Sequence, residues 1–81
     1  MIWDYKSQLQ EYCQARKNMV FYRLKVARRE GQHQIFTMKV YDKLGTFSEI
    51  GLGRNKKEAE QQAAAKVIKK LGIEKIQKIE E

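Results

Sequence analysis

Residues 51 to 65 read GLGRNKKEAEQQAAA, and a helix that begins in this way constrains the fold more than any other part of the chain. Asn55 is a good N-cap and Glu58 stands where a capping-box carboxylate can reach back, so the spacing predicts a helix from about Lys56. Ala59, Ala63, Ala64, Val67, Ile68 and Leu71 continue it as one stripe at helical steps, with Gly72 as a natural stop. The inner face begins small and ends large, so the alanines let the helix start close to whatever it packs on, while Lys66, Lys69 and Lys70 face water and the negative end of the dipole. The first turn carries the opposite logic. Lys56 and Lys57 occupy the positive end of the dipole, where each cation costs about 0.3–1 kcal/mol, and Arg54 adds a third cation just outside. Cations beside the free N–H groups of a helix start make an anion site, because a phosphate accepts from the backbone and neutralises the side chains together. A solvated basic turn, with Glu58 and Glu60 offsetting the repulsion, is the plainer reading of the same residues.

The rest of the chain supplies that helix with partners. Tyr5, Leu9, Tyr12 and Cys13 recur at helical spacing between Asp4, a plausible cap, and Lys17, and Asn18 marks the stop. Ser7, Gln10, Glu11 and Gln14 form a polar stripe on the opposite face, which taken alone is the ordinary wet side of an amphipathic helix. Val20 to Ala27 reads as a strand in which Val20, Tyr22, Leu24 and Val26 share one face. Arg28, Arg29, Glu30, Gly31, Gln32 and His33 read as a polar turn, and Ile35 to Tyr41 as the second strand of a hairpin. Asp42 to Gly45 is a further turn, and Thr46 to Ile50 a short third strand handing over to a loop at Gly51 and Gly53. Helix, three strands, helix is an α+β order. The economical packing is a two-layer domain with both helices on one face of an antiparallel meander and the other face open. The expected domain is 1–72, followed by a partly ordered tail, 73–81, in which Ile73, Ile76 and Ile79 recur among charges.

Charge and composition narrow the partners. Seventeen Lys and Arg against ten Asp and Glu give +7 over 81 residues, which favours a polyanion: nucleic acid first, an acidic membrane or protein second. Hydrophobic residues at 42% and charged residues at 33% place the chain in the globular class. One cysteine excludes an internal disulfide, and one cysteine with one histidine cannot furnish a zinc site. No stretch approaches the ~20 apolar residues of a membrane span and the start has no signal-like run, so a cytoplasmic protein, or a piece of one, is expected. No cofactor, metal or catalytic residue is expected: the carboxylates are scattered, His33 stands alone, and Cys13 lies on the apolar side of its helix. Gly51-Leu52-Gly53 lacks both the dinucleotide fingerprint and the phosphate-loop spacing, so the basic helix start must serve a larger anion.

These residues carry a resemblance. DYKSQLQEYCQ at residues 4–14 is similar to the first-helix motif of double-stranded RNA-binding domains, most closely the one at the C-terminal end of bacterial ribonuclease III. GLGRNKKEAEQQAAA matches that family's loop and second-helix motif almost letter for letter, and the likeness runs from about Asp4 to Leu71. It implies recognition of duplex RNA by shape, over roughly 16 base pairs, since the major groove is too deep for side chains and the minor groove displays 2′-hydroxyls. It also implies three contact regions. Ser7, Gln10, Glu11 and Gln14 would enter one minor groove, Glu11 needing a donor that DNA cannot offer. Arg28, Arg29, Gln32 and His33 would reach the next, while Arg54, Asn55, Lys56 and Lys57 grip phosphates between them. The family's hairpin commonly has Gly-Pro-x-His, whereas here Gly31-Gln32-His33 lacks the proline and Phe36 follows sooner, which leaves His33 open between groove contact and exposed loop residue. Glu60 replaces a lysine of many members and is expected beside Lys56, trimming phosphate affinity. The cleaving residues of a ribonuclease would belong to a nuclease domain outside this sequence. The other class of function, a protein-interaction module or homodimer of the same fold, would use the tail isoleucines or the open sheet face.

Overall fold

The computed structural model describes residues 4–73, in the order α1 (Tyr5–Ala15), β1 (Val20–Glu30), β2 (His33–Asp42), β3 (Ser48–Gly53) and α2 (Lys56–Leu71). The strands form one antiparallel sheet in the order β1-β2-β3. Both helices pack on the same face, where Leu9, Cys13, Val40, Phe47, Ala63, Ala64, Val67 and Ile68 make the core. This is the expected two-layer α+β architecture. The expected tail lies outside the described residues except for Ile73, which packs against the core.

Both helices end by the same device. Gly72 takes a left-handed φ of 70°, and the Ile73 amide reaches back to the Ile68 carbonyl at 3.0 Å. In α1 the left-handed residue is Lys17, φ 55°, and the Asn18 amide donates to the Cys13 carbonyl at 2.8 Å. The helix expected to run to Lys17 therefore ends at Ala15, because the carbonyl of its last turn is satisfied by the returning chain.

The sheet departs from simple alternation at one place. Leu24 pairs with Met38 and Val26 with Thr37, which leaves Lys25 as a bulge. Val26 therefore leaves the face that Val20, Tyr22 and Leu24 share, contrary to the expected four-residue stripe, and stands 48% exposed on the open side. Beyond the bulge the ladder continues to a Glu30–His33 pair, so the expected six-residue turn is only Gly31-Gln32. Gly31 has φ 63°, as the first central position of a II′ hairpin turn requires.

The third strand is also displaced from its expected span. Asp42 holds residues 46 and 47 in the connection: its Oδ1 accepts from the Thr46 amide at 2.7 Å and the Phe47 amide at 3.0 Å, and the Thr46 hydroxyl donates to Oδ2. Phe47 is thereby turned into the core rather than set in the ladder. The strand starts at Ser48 and runs through both glycines, Gly51 pairing with Met38 and Gly53 with Phe36. These glycines are strand residues for a packing reason. A Cβ on Gly51 would lie 2.3 Å from both the Ala59 carbonyl oxygen and the Ala63 amide nitrogen. The alanine ladder of α2 thus rests directly on strand backbone, and the end of β3 places the start of α2.

Asn18 completes the polar cluster around Asp42. Its Nδ2 donates to Asp42 Oδ2 at 2.8 Å, and its Oδ1 accepts from the amides of Met19 and Leu44. Burial alone would raise the Asp42 pKa, but the bonds from Thr46, Asn18 and the Phe47 and Thr46 amides outweigh it and hold the carboxyl below its usual range. A depressed folded pKa stabilises above the unfolded value, about 3.9, and that stability is lost as pH falls through the folded value. Thermal stability is therefore expected to fall steeply only below about pH 4. Asp42→Asn should cost about 1–3 kcal/mol at neutral pH by leaving amides unmatched, and should flatten the acid dependence. It should not abolish that dependence, because Asp4 is depressed in the same direction by bonds from Gln61 and Ser7.

Candidate nucleic-acid interface

The start of α2 sets cations and free amides together. Asn55 is extended, φ −147°, and its side-chain oxygen accepts from the Glu58 amide at 2.7 Å. Glu58 reaches back as expected of a capping carboxylate, but one residue further than the cap: its Oε1 accepts from the Arg54 amide at 2.6 Å. The amides of Lys56 and Lys57 have no intrahelical partner by helix geometry. Both side chains, and Arg54, are exposed. Among the described residues the ion pairs are Lys6–Glu60, Arg28–Glu30 and Lys70–Glu49, so no carboxylate pairs with these three cations.

Glu60 corrects an expectation. Its carboxylate is taken by Lys6 of α1 rather than lying against Lys56. The adjoining residue, Gln61, makes a second link between the helices. Gln61 Oε1 accepts from the Tyr5 amide at 3.0 Å and the Lys6 amide at 3.4 Å, and Nε2 donates to Asp4 Oδ1 at 2.7 Å. Asp4 in turn caps α1, accepting from the Lys6 and Ser7 amides and from the Ser7 hydroxyl at 3.0 Å. Sequence reasoning missed Lys6 and Gln61. Their only signal was position, since Gln61 stands one turn after Lys57 on the same helix face.

Ser7, Gln10, Glu11 and Gln14 are all exposed along α1. The Ser7 proton is committed to Asp4, which leaves its oxygen free to accept. At the other end, the hairpin residues are not a single cluster. The ladder puts Arg29 opposite Gln34, on the side that carries the helices, and Arg28 opposite Ile35 on the open side, where it pairs with Glu30 at 2.8 Å. His33 closes the ladder opposite Glu30 and is exposed, as is Gln32 in the turn.

Cys13 is buried, and burial pushes its thiol up, away from the reactive thiolate. Among the described residues no group of three or more His, Cys, Asp and Glu is placed to hold a metal ion. No described helix is long and apolar enough to cross a membrane.

Comparison with known proteins gives a consistent result. The family described as double-stranded RNA binding motif matches residues 5–71. The chain is similar to Ribonuclease 3 from Buchnera aphidicola subsp. Acyrthosiphon pisum, strains Tuc7, 5A and APS, each 39% identical over 74 residues. The match covers 88% of this chain but 32% of the length of each of those relatives.

Proposed function

The chain belongs to the double-stranded RNA-binding motif family, and from that premise we propose that it holds duplex RNA by shape and charge, as the RNA-binding part of a ribonuclease III-like protein of the cytoplasm. The observation that carries this reading is the start of α2, where Arg54, Lys56 and Lys57 stand exposed with no carboxylate partner beside first-turn amides. Two nearby carboxylates could have neutralised them. Glu58 is turned to the Arg54 amide and Glu60 to Lys6, so the local field stays positive. A folding domain gains nothing from this arrangement, whereas a phosphate rail would complete it.

Binding divides among the three regions. Arg54, Asn55, Lys56 and Lys57 take phosphates across the major groove, Ser7, Gln10, Glu11 and Gln14 line one minor groove, and Arg29 with Gln32 and His33 reaches the next. Arg28 is paired with Glu30, which offsets its charge, so it adds less to this region than Arg29 does. Strand scission would belong to a nuclease domain of the parent protein, since the relatives extend well beyond the matched segment.

Titration with a duplex of about 16 base pairs, as RNA and as DNA of the same sequence at two salt concentrations, tests the reading. RNA is expected to bind with an affinity that falls log-linearly with salt, and DNA far more weakly. Equal affinity for the two duplexes would remove the 2′-hydroxyl contacts assigned to α1.

A further inference from the structure

Duplex RNA fixes the distance between a minor groove and the phosphates beside it, so residues on α1 and α2 can engage together only if the two helices keep one offset. Beside the shared apolar core, polar side chains of α2 tie the start of α1 in place, with Gln61 at their centre. One side-chain amide, Gln61, accepts from the Tyr5 and Lys6 amides at the start of α1 and donates to the carboxylate that caps the same helix. Both halves of the amide are used, so neither a carboxylate nor an apolar side chain can replace it. The Lys6–Glu60 pair, next in sequence, adds a second link between the same two helices. On the α1 side the link runs through Asp4 to Ser7, the first residue of the polar stripe. On the α2 side Gln61 lies one turn from Lys57.

We propose that Gln61 is a positioning residue for duplex recognition, locking the minor-groove stripe of α1 to the phosphate-binding start of α2 at the spacing the duplex demands. This rests on the duplex-binding reading above. Gln61 touches no RNA in this role; it acts through Asp4 and the first amides of α1. The role differs from a contribution to stability, because it couples specifically to α1.

The test is a double-mutant comparison in duplex RNA binding. Gln61→Met keeps length and helix propensity without charge, and is expected to bind about tenfold more weakly, the worth of one charge-assisted hydrogen bond. In that background Gln14→Ala should lose at least about half of the fold-effect it has in the unaltered chain, while Lys56→Ala keeps its full effect. Should Gln61→Met not fold by circular dichroism, Gln61→Ala, with the best helix propensity and no bulk, carries the same comparison. Unchanged affinity, or a Gln14→Ala effect undiminished beside that of Lys56→Ala, would overturn the proposal and leave Gln61 a stabilising contact only. If the unaltered chain did not bind the RNA duplex at all, the functional reading itself would fail instead.

Discussion

Changing Lys56 and Lys57 together to alanine is expected to weaken binding to duplex RNA by roughly thirtyfold near physiological salt, and to reduce the log-log salt slope by about one to two. The same change should make the domain more stable. Each lysine lies on the positive end of the α2 dipole, where removing a cation returns about 0.3–1 kcal/mol. For a domain of this size the melting temperature should therefore rise by several degrees, at about 4–8 °C per kcal/mol. Stability and affinity moving in opposite directions is the signature that separates a functional cation from a structural one. A double variant that melts higher and binds unchanged would show that the helix start is only a solvated turn. Loss of stability with loss of binding would point to a packing role for the lysine stems.

Gly51→Ala is expected to be the most damaging single-atom addition in the fold. The new Cβ would lie 2.3 Å from the Ala59 carbonyl oxygen and the Ala63 amide nitrogen, and 2.8 Å from the Ala63 Cα. All of these are backbone atoms of α2, so no side chain can swing aside, and the helix must lift from the sheet. A loss of about 3 kcal/mol or more is expected, at the upper end for overpacked cores, and it would consume much of the roughly 5–15 kcal/mol of a typical domain. A thermal melt by circular dichroism measures it directly. Gly53→Ala should behave differently, since its Cβ would meet the Ala59 amide nitrogen at 2.5 Å and Glu58 at 2.9 Å, in the first turn rather than the body of the helix. Displacing that turn is expected to reduce RNA affinity by a larger factor than it reduces stability.

The contrast between α2 and β3 shows what could be seen in the chain beforehand. The bounds of α2 were legible because each signal is local: Asn55 caps, the alanine stripe repeats at 3.6 residues, and Gly72 stops. The span of β3 was not, because glycine in a strand reads as a loop by propensity. At Gly51 that preference is overridden by a helix lying too close for any side chain, and closeness of that kind is a tertiary fact. The bulge at Lys25 was hidden for another reason: Val26 is apolar and alternates with its predecessors, so an uninterrupted ladder fits the letters equally well. In the candidate site the cations were readable and their partners were not. Glu58 was expected to reach back to a backbone amide and does, one residue beyond the cap, whereas Glu60 had Lys56 and Lys57 at helical spacing and crossed to Lys6 of α1. Gln61 had no signature beyond its position one turn after Lys57, since a glutamine in a helix is unremarkable until a second helix brings its own start against it.

The unpaired Lys25 has a consequence for how the outer hairpin is aimed. Leu24 and Val26 already occupy consecutive rungs, opposite Met38 and Thr37, so excising Lys25 would shift no rung from there to Glu30 and His33. What would change is the curvature that an extra residue imposes on a ribbon. Direction of reach and chemical content are thus independent variables in this arm: one codon steers it, and the arginines at its end keep the faces they have.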